Sequence, residues 1–148
     1  MKNSRLFLIL FLAVSMIATS CSKEDDDPKV GDCGTVCAGT IASGESAGTV
    51  ASSVVGKYTL TMQYAKANSP FPDGTVGEFE VYADNTLYVK IGDKCVTISN
   101  PAQSGSSEAT FRDKCVFNLR FGVSEKNGGG LNEINIGSDT EFLGQFHP

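Results

Sequence analysis

The sequence predicts an all-β domain, a small antiparallel meander of about eight strands closed as a barrel or folded as a sandwich. Three observations carry this. Apolar and polar residues alternate with a period of two, most clearly over Lys57–Tyr64 and Val116–Ser124. Turn formers such as Asp84-Asn85, Gly92-Asp93 and Asn127–Gly130 recur roughly every 8 to 15 residues. No stretch of 54–148 carries the apolar stripe of an amphipathic helix.

In the first strand, Tyr58, Leu60, Met62 and Tyr64 oppose Lys57, Thr59, Thr61 and Gln63. Phe79, Val81 and Ala83 then alternate with Glu78, Glu80 and Tyr82. After the Asp84-Asn85 turn, Leu87, Val89 and Ile91 continue the apolar face, and Gly92-Asp93-Lys94 leads into Val96 and Ile98. Asn100–Ser107 reads as a polar loop. Ala109 and Phe111 lead to a turn at Asp113-Lys114, and Phe117, Leu119, Phe121 and Val123 form the next inner face. Ile134 and Ile136 follow the glycine turn, and Glu141–Phe146 is the last strand. Closing such a sheet removes its exposed edges. Gly56-Lys57-Tyr58 faintly resembles the Gly-x-Trp opening of lipocalin-like barrels, without the Trp; that resemblance implies a calycin-like barrel with a small apolar ligand inside.

The chain before this domain has a different character. Lys2 and Arg5 precede the apolar run Leu6–Ile17, which is shorter than the ~20 residues a spanning helix needs. Small residues follow, so residues 1–20 read as a signal peptide. Ala18-Thr19-Ser20-Cys21 resembles the lipobox of bacterial lipoproteins, with Ala18 where Leu is usual. The resemblance implies a diacylglyceryl thioether on Cys21 and cleavage before it. Lys23, Glu24, Asp25, Asp26 and Asp27 resemble the surface-export tag of Bacteroidota lipoproteins, which implies an outer-membrane protein facing the cell exterior. Residues 21–53, acidic and then rich in Gly, Ser and Ala, read as a flexible tether spanning roughly 30 Å. The β domain occupies 54–148.

The formal net charge is −5 and becomes more negative once Lys2 and Arg5 are removed. Phosphate backbones need a basic surface, so nucleic acid is excluded as a partner. Anionic headgroups are excluded for the same reason, which leaves lipid on Cys21 as the attachment to the membrane.

Five cysteines are present. With Cys21 acylated, Cys33, Cys37, Cys95 and Cys115 suggest two disulfides, and four cysteines allow three connectivities. Locality favours Cys33–Cys37 with Cys95–Cys115. The tetrapeptide Asp93-Lys94-Cys95-Val96 recurs as Asp113-Lys114-Cys115-Val116, which sets the second pair at one rim of a meander. Two points oppose that pair. An intervening strand separates its members by ~10 Å, against a Cα limit of ~7 Å. Alternation also turns Cys115 inward and Cys95 outward. A bulge at a turn corrects the facing and sheet curvature shortens the gap, so the Cys95–Cys115 bond remains the expectation.

No nucleophile elbow, zinc-protease motif, Walker loop or dinucleotide fingerprint is present. The only histidine, His147, lies next to the C-terminus. Asp84, Asp93, Asp113 and Asp139 occupy turns, where Asp is favoured on conformational grounds. Glu78 and Glu80 share an exposed strand face. We therefore expect neither catalysis, nor a cofactor, nor a metal. Tyr82 and Tyr88, outward by alternation beside the Asp84-Asn85 turn, are the candidate platform for a sugar. Phe71, in the loop Ser69–Thr75, either caps a cavity mouth or folds back on the core. These readings point to a lipid-anchored envelope protein whose β domain serves binding or interaction. The ligand class remains open between a small apolar molecule, a glycan and a protein partner.

Overall fold

The computed structural model describes residues 33–148. The signal peptide, Cys21 and the export tag Lys23–Asp27 lie outside the described residues.

The domain is all-β, as the alternation predicts. Its strands in chain order are β1 (Val36–Ala38), β2 (Gly56–Ala65), β3 (Val76–Val81), β4 (Leu87–Ile91), β5 (Lys94–Ser99), β6 (Ala102–Ser104), β7 (Glu108–Arg112), β8 (Arg120–Glu125), β9 (Leu131–Gly137) and β10 (Phe142–His147). They form one ten-stranded sheet in the order β1-β5-β4-β3-β2-β10-β9-β8-β7-β6. Two meanders, β2–β5 and β6–β10, are thus joined where β2 pairs with β10. Every pairing is antiparallel except β1 with β5. No ladder joins β1 to β6, so the sheet is not closed into a barrel.

The inner faces meet in a single core. Phe79, Phe111, Phe121 and Phe146 are all but fully buried and fill its centre. Phe146 sits between Met62 on β2 and Ile134 on β9, with the Phe79 ring 5.1 Å away in an edge-to-face contact. Phe71 folds back onto this core, edge-on to Phe117 at 5.9 Å, and does not cap an open mouth.

Two strands go beyond the expected eight. β6 lies inside the segment read as a polar loop. β1 lies inside the segment read as a tether, where Cys37 and Val50 are buried core residues. Residues 39–48 bridge the open side of the sheet: the Gly39 N–H donates to the Ser99 carbonyl (2.9 Å) and the Gly48 N–H to the Pro101 carbonyl (2.7 Å). A Cβ on either glycine would stand 2.7 Å from backbone atoms of Ser99 or Ala102, so the close approach requires glycine. Glu45 pairs with Arg112 across this bridge, and the guanidinium holds the Glu45 carboxyl below its usual range.

The disulfide pattern corrects the expectation. The bond is Cys37–Cys115, with a Cα–Cα distance of 6.0 Å, while Cys33 and Cys95 are free thiols. β1 pairs with β5 and aims Cys37 into the core, where it meets Cys115 in the loop after β7. Cys95 stands opposite Lys90 on the outer face, so facing rules out the Cys95–Cys115 bond. Locality was a poor guide because it took β1 for free chain.

Candidate functional site

The outer face of β7–β10 carries a cleft of about 240 Å3. Its geometry follows from the register. Phe111, Phe121, Ile134, Ile136 and Phe146 turn inward, so their neighbours in sequence turn out in cross-strand rows. The first row runs Glu133 (β9), Ser124 (β8), Glu108 (β7), with His147 of β10 beside Glu133. The second runs Gln145 (β10), Asn135 (β9), Gly122 (β8), Thr110 (β7). The third runs Phe142 (β10), Gly137 (β9), Arg120 (β8), Arg112 (β7). The rows are respectively acidic, neutral and basic.

Two outward positions are glycine, and they create the hollow. A Cβ on Gly122 would meet the Glu108 carboxyl carbon at 2.6 Å. Its absence lets the Glu108 side chain lie across β8 and reach β9. A Cβ on Gly137 would meet the Glu141 carbonyl oxygen at 2.8 Å and Arg120 Nη2 at 3.3 Å. The guanidinium thus rests over bare backbone.

Hydrogen bonds order the middle of the cleft. Asn135 Nδ2 donates to Glu108 Oε2 (2.9 Å) and Glu133 Oε1 (3.3 Å). Gln145 Nε2 donates to Asn135 Oδ1 (3.1 Å), and Thr110 Oγ1 to Glu108 Oε1 (3.2 Å). His147 Nε2 stands 3.6 Å from Glu133 Oε2. An aromatic wall flanks this network: Tyr64 and Phe142 stack at 6.0 Å with an interplanar angle of 20°.

Tyr64 was expected inward with Met62 but is half exposed. Met62 pairs with Phe146 and Tyr64 with Gln145, so Gln63 has no partner on β10. This bulge reverses the alternation and turns Tyr64 to the outer face.

The other candidates are placed differently. Tyr88 is outward by alternation, yet it is only 7% exposed. Burial raises its phenol pKa, against the opposing pull of the Lys90 ammonium. Tyr82 donates to Glu80 Oε2 (2.9 Å), and burial pushes its phenol well up. The two tyrosines therefore do not present a shared open platform. Glu78 and Glu80 pair with Lys90 (3.2 Å) and Lys57 (3.7 Å). Asp113 is fully buried and is more than a turn former. Its carboxylate accepts the backbone N–H groups of Cys115, Val116 and Phe117. It lies close to both sulfurs of the disulfide, but those sulfurs are spent in their bond and are not thiolate ligands.

The sequence reasoning did not single out Glu108, Arg120, Asn135, Phe142 or Gln145. Each looks like an ordinary outward residue of a strand. The available signal was glycine at the outward positions 122 and 137 of otherwise regular strands.

The chain matches no protein-family model, no curated protein and no solved structure.

Proposed function

We propose that this protein is a lipid-anchored component of the bacterial cell envelope, displayed on the outer membrane, whose β domain is a non-catalytic module for binding a hydroxyl-rich ligand, a glycan. The cleft on β7–β10 carries the binding part of this reading. It combines carboxylate, amide and hydroxyl groups on a rigid sheet with an aromatic wall. Sugar hydroxyls need donors and acceptors held in fixed positions, and the apolar C–H faces of a sugar pack on an aromatic ring. Phe79, Phe111, Phe121 and Phe146 fill the centre of the fold, which favours the surface cleft over an interior site for a small apolar ligand. The resemblances at Ala18–Cys21 and Lys23–Asp27 carry the location.

The binding reading is tested by calorimetry on the mature protein with a panel of neutral and acidic oligosaccharides. Asn135→Ala removes the hub of the network. It is expected to weaken the binding member of the panel roughly tenfold or more, the worth of one to two lost hydrogen bonds. An unchanged affinity sinks the assignment of the site. The location is tested separately. Cys21→Ser should prevent lipid addition, read as loss of the diacylglyceryl mass. Changing Glu24–Asp27 to Ala should leave the lipid but remove accessibility to protease added to intact cells. Continued accessibility would reduce the acidic run to a solvated spacer.

A further inference from the structure

Arg120 stands apart from the other charged groups of the cleft. The described residues include two arginines, Arg112 and Arg120. Arg112 has partners: it pairs with Glu45 and donates from Nη1 to the Thr40 carbonyl (3.2 Å). Arg120 has no described carboxylate within salt-bridge distance, and its Nε is buried without a hydrogen-bond partner. A guanidinium carries five donors and cannot shed its proton, so an acceptor-poor, half-buried one is costly. Asp139 and Glu45 feel the charge of Arg120 from a distance, but no described acid makes a direct pair with it. Glu108 is taken by Asn135 and Thr110, Glu133 faces Asn135 and His147, and Asp139 is paired with Lys114 at 2.6 Å. Arg120 nevertheless lines the cleft, on the row that ends at Phe142.

We infer that the ligand of this cleft is an acidic saccharide whose carboxylate pairs with Arg120. The inference rests on the glycan reading of the cleft and goes beyond it by fixing the chemical class. A planar carboxylate matches the fork of a guanidinium in two parallel hydrogen bonds. Glu108 and Glu133 oppose negative charge at their end of the cleft, so the ligand carboxylate is placed at the Arg120 end, away from the acidic row. The hydroxyls of the same sugar then meet the Gln145 amide in the neighbouring row, which spends Nε2 on Asn135 and keeps its oxygen for the ligand. The Phe142 ring, stacked on Tyr64 and with Lys66 Nζ 5.9 Å from its centroid, lines the cleft across Gly137 from Arg120 and offers its remaining apolar surface to the C–H groups.

The test uses the mature full-length protein in detergent. The probes are trisaccharides of galacturonate, glucuronate, mannuronate and guluronate, their methyl esters, and neutral maltotriose and cellotriose. At least one uronate is expected to bind, and its methyl ester to bind ten- to a hundredfold more weakly, as for a lost charge-assisted pair. Arg120→Gln should bring the acid down to the affinity of the ester, and Arg120→Lys should recover part of the loss. Thermal melts of both variants verify that the fold survives. Ester and acid binding alike, or Arg120→Gln leaving the acid unaffected, overturns the inference. Binding of neutral trisaccharides alone also overturns it while sparing the glycan reading. Binding of none of the probes removes both.

Discussion

Replacing Cys37 and Cys115 together by Ala is expected to lower the unfolding free energy by about 4 kcal/mol. The bond closes a loop of 78 residues, so its removal restores much configurational freedom to the unfolded chain. The native state loses as well. Cys37 anchors β1, an edge strand of three residues that pairs with β5 alone. Cys115 belongs to the loop between β7 and β8, on the other meander. The disulfide is therefore a covalent tie across the open side of a sheet that no ladder closes. A domain of this size has only about 5–15 kcal/mol of stability in total, so the change is a large fraction of it. Urea unfolding with linear extrapolation measures the difference. A change below about 1 kcal/mol would mean that residues 39–48 hold the open side of the sheet without the bond.

Asp113→Ala is expected to cost about 3 kcal/mol. The buried carboxylate gathers three successive backbone N–H groups, an anion held in a nest of amides. Deleting it leaves those donors without a partner, at roughly 1–3 kcal/mol for each that water cannot reach. Asp113→Asn keeps one acceptor oxygen at the same place and should recover part of the loss. Thermal unfolding of the two variants separates these contributions. An Ala variant within about 0.5 kcal/mol of the native protein would show that the loop keeps its shape without the carboxylate. The same substitution should also disturb the basic end of the cleft. The loop links β7, which carries Arg112, to β8, which begins at Arg120, and the Asp113 N–H donates to the Leu119 carbonyl (2.8 Å).

Much of the fold was legible because it rests on local alternation. The inward positions of β3, β4, β5 and β9 follow directly from period-two patterning, and the turns fall at their Gly, Asn and Asp residues. What escaped depends on distant partners. Val36–Ala38 is too short to show a period, and it becomes a strand only because β5 presents a free edge beside it. The same event pulled Cys37 into the core and settled the disulfide. Tyr64 reversed its face because of a bulge defined by the register between β2 and β10. Tyr88 was correctly turned outward, but its burial comes from tertiary neighbours. The cleft was the least legible feature of all. Its residues come from four strands, spread from Glu108 to His147, and only pairing brings them into rows. Glycines 122 and 137 marked the place, but a glycine in a strand tells of space and not of what fills it.

The central claim is that ligand recognition occurs on the outer face of β7–β10 and not inside the fold. It is tested most directly by nuclear magnetic resonance of the mature protein, titrated with the tightest-binding oligosaccharide of the panel. The account predicts that the side-chain amide signals of Asn135 and Gln145 and the guanidinium signal of Arg120 shift together, with one shared affinity. The methyl signals of the core residues Val89 and Ile98 should stay in place. Shifts concentrated in the core, or on the outer face of β3 and β4 around Glu78 and Glu80, with Asn135 and Gln145 unmoved, would contradict it.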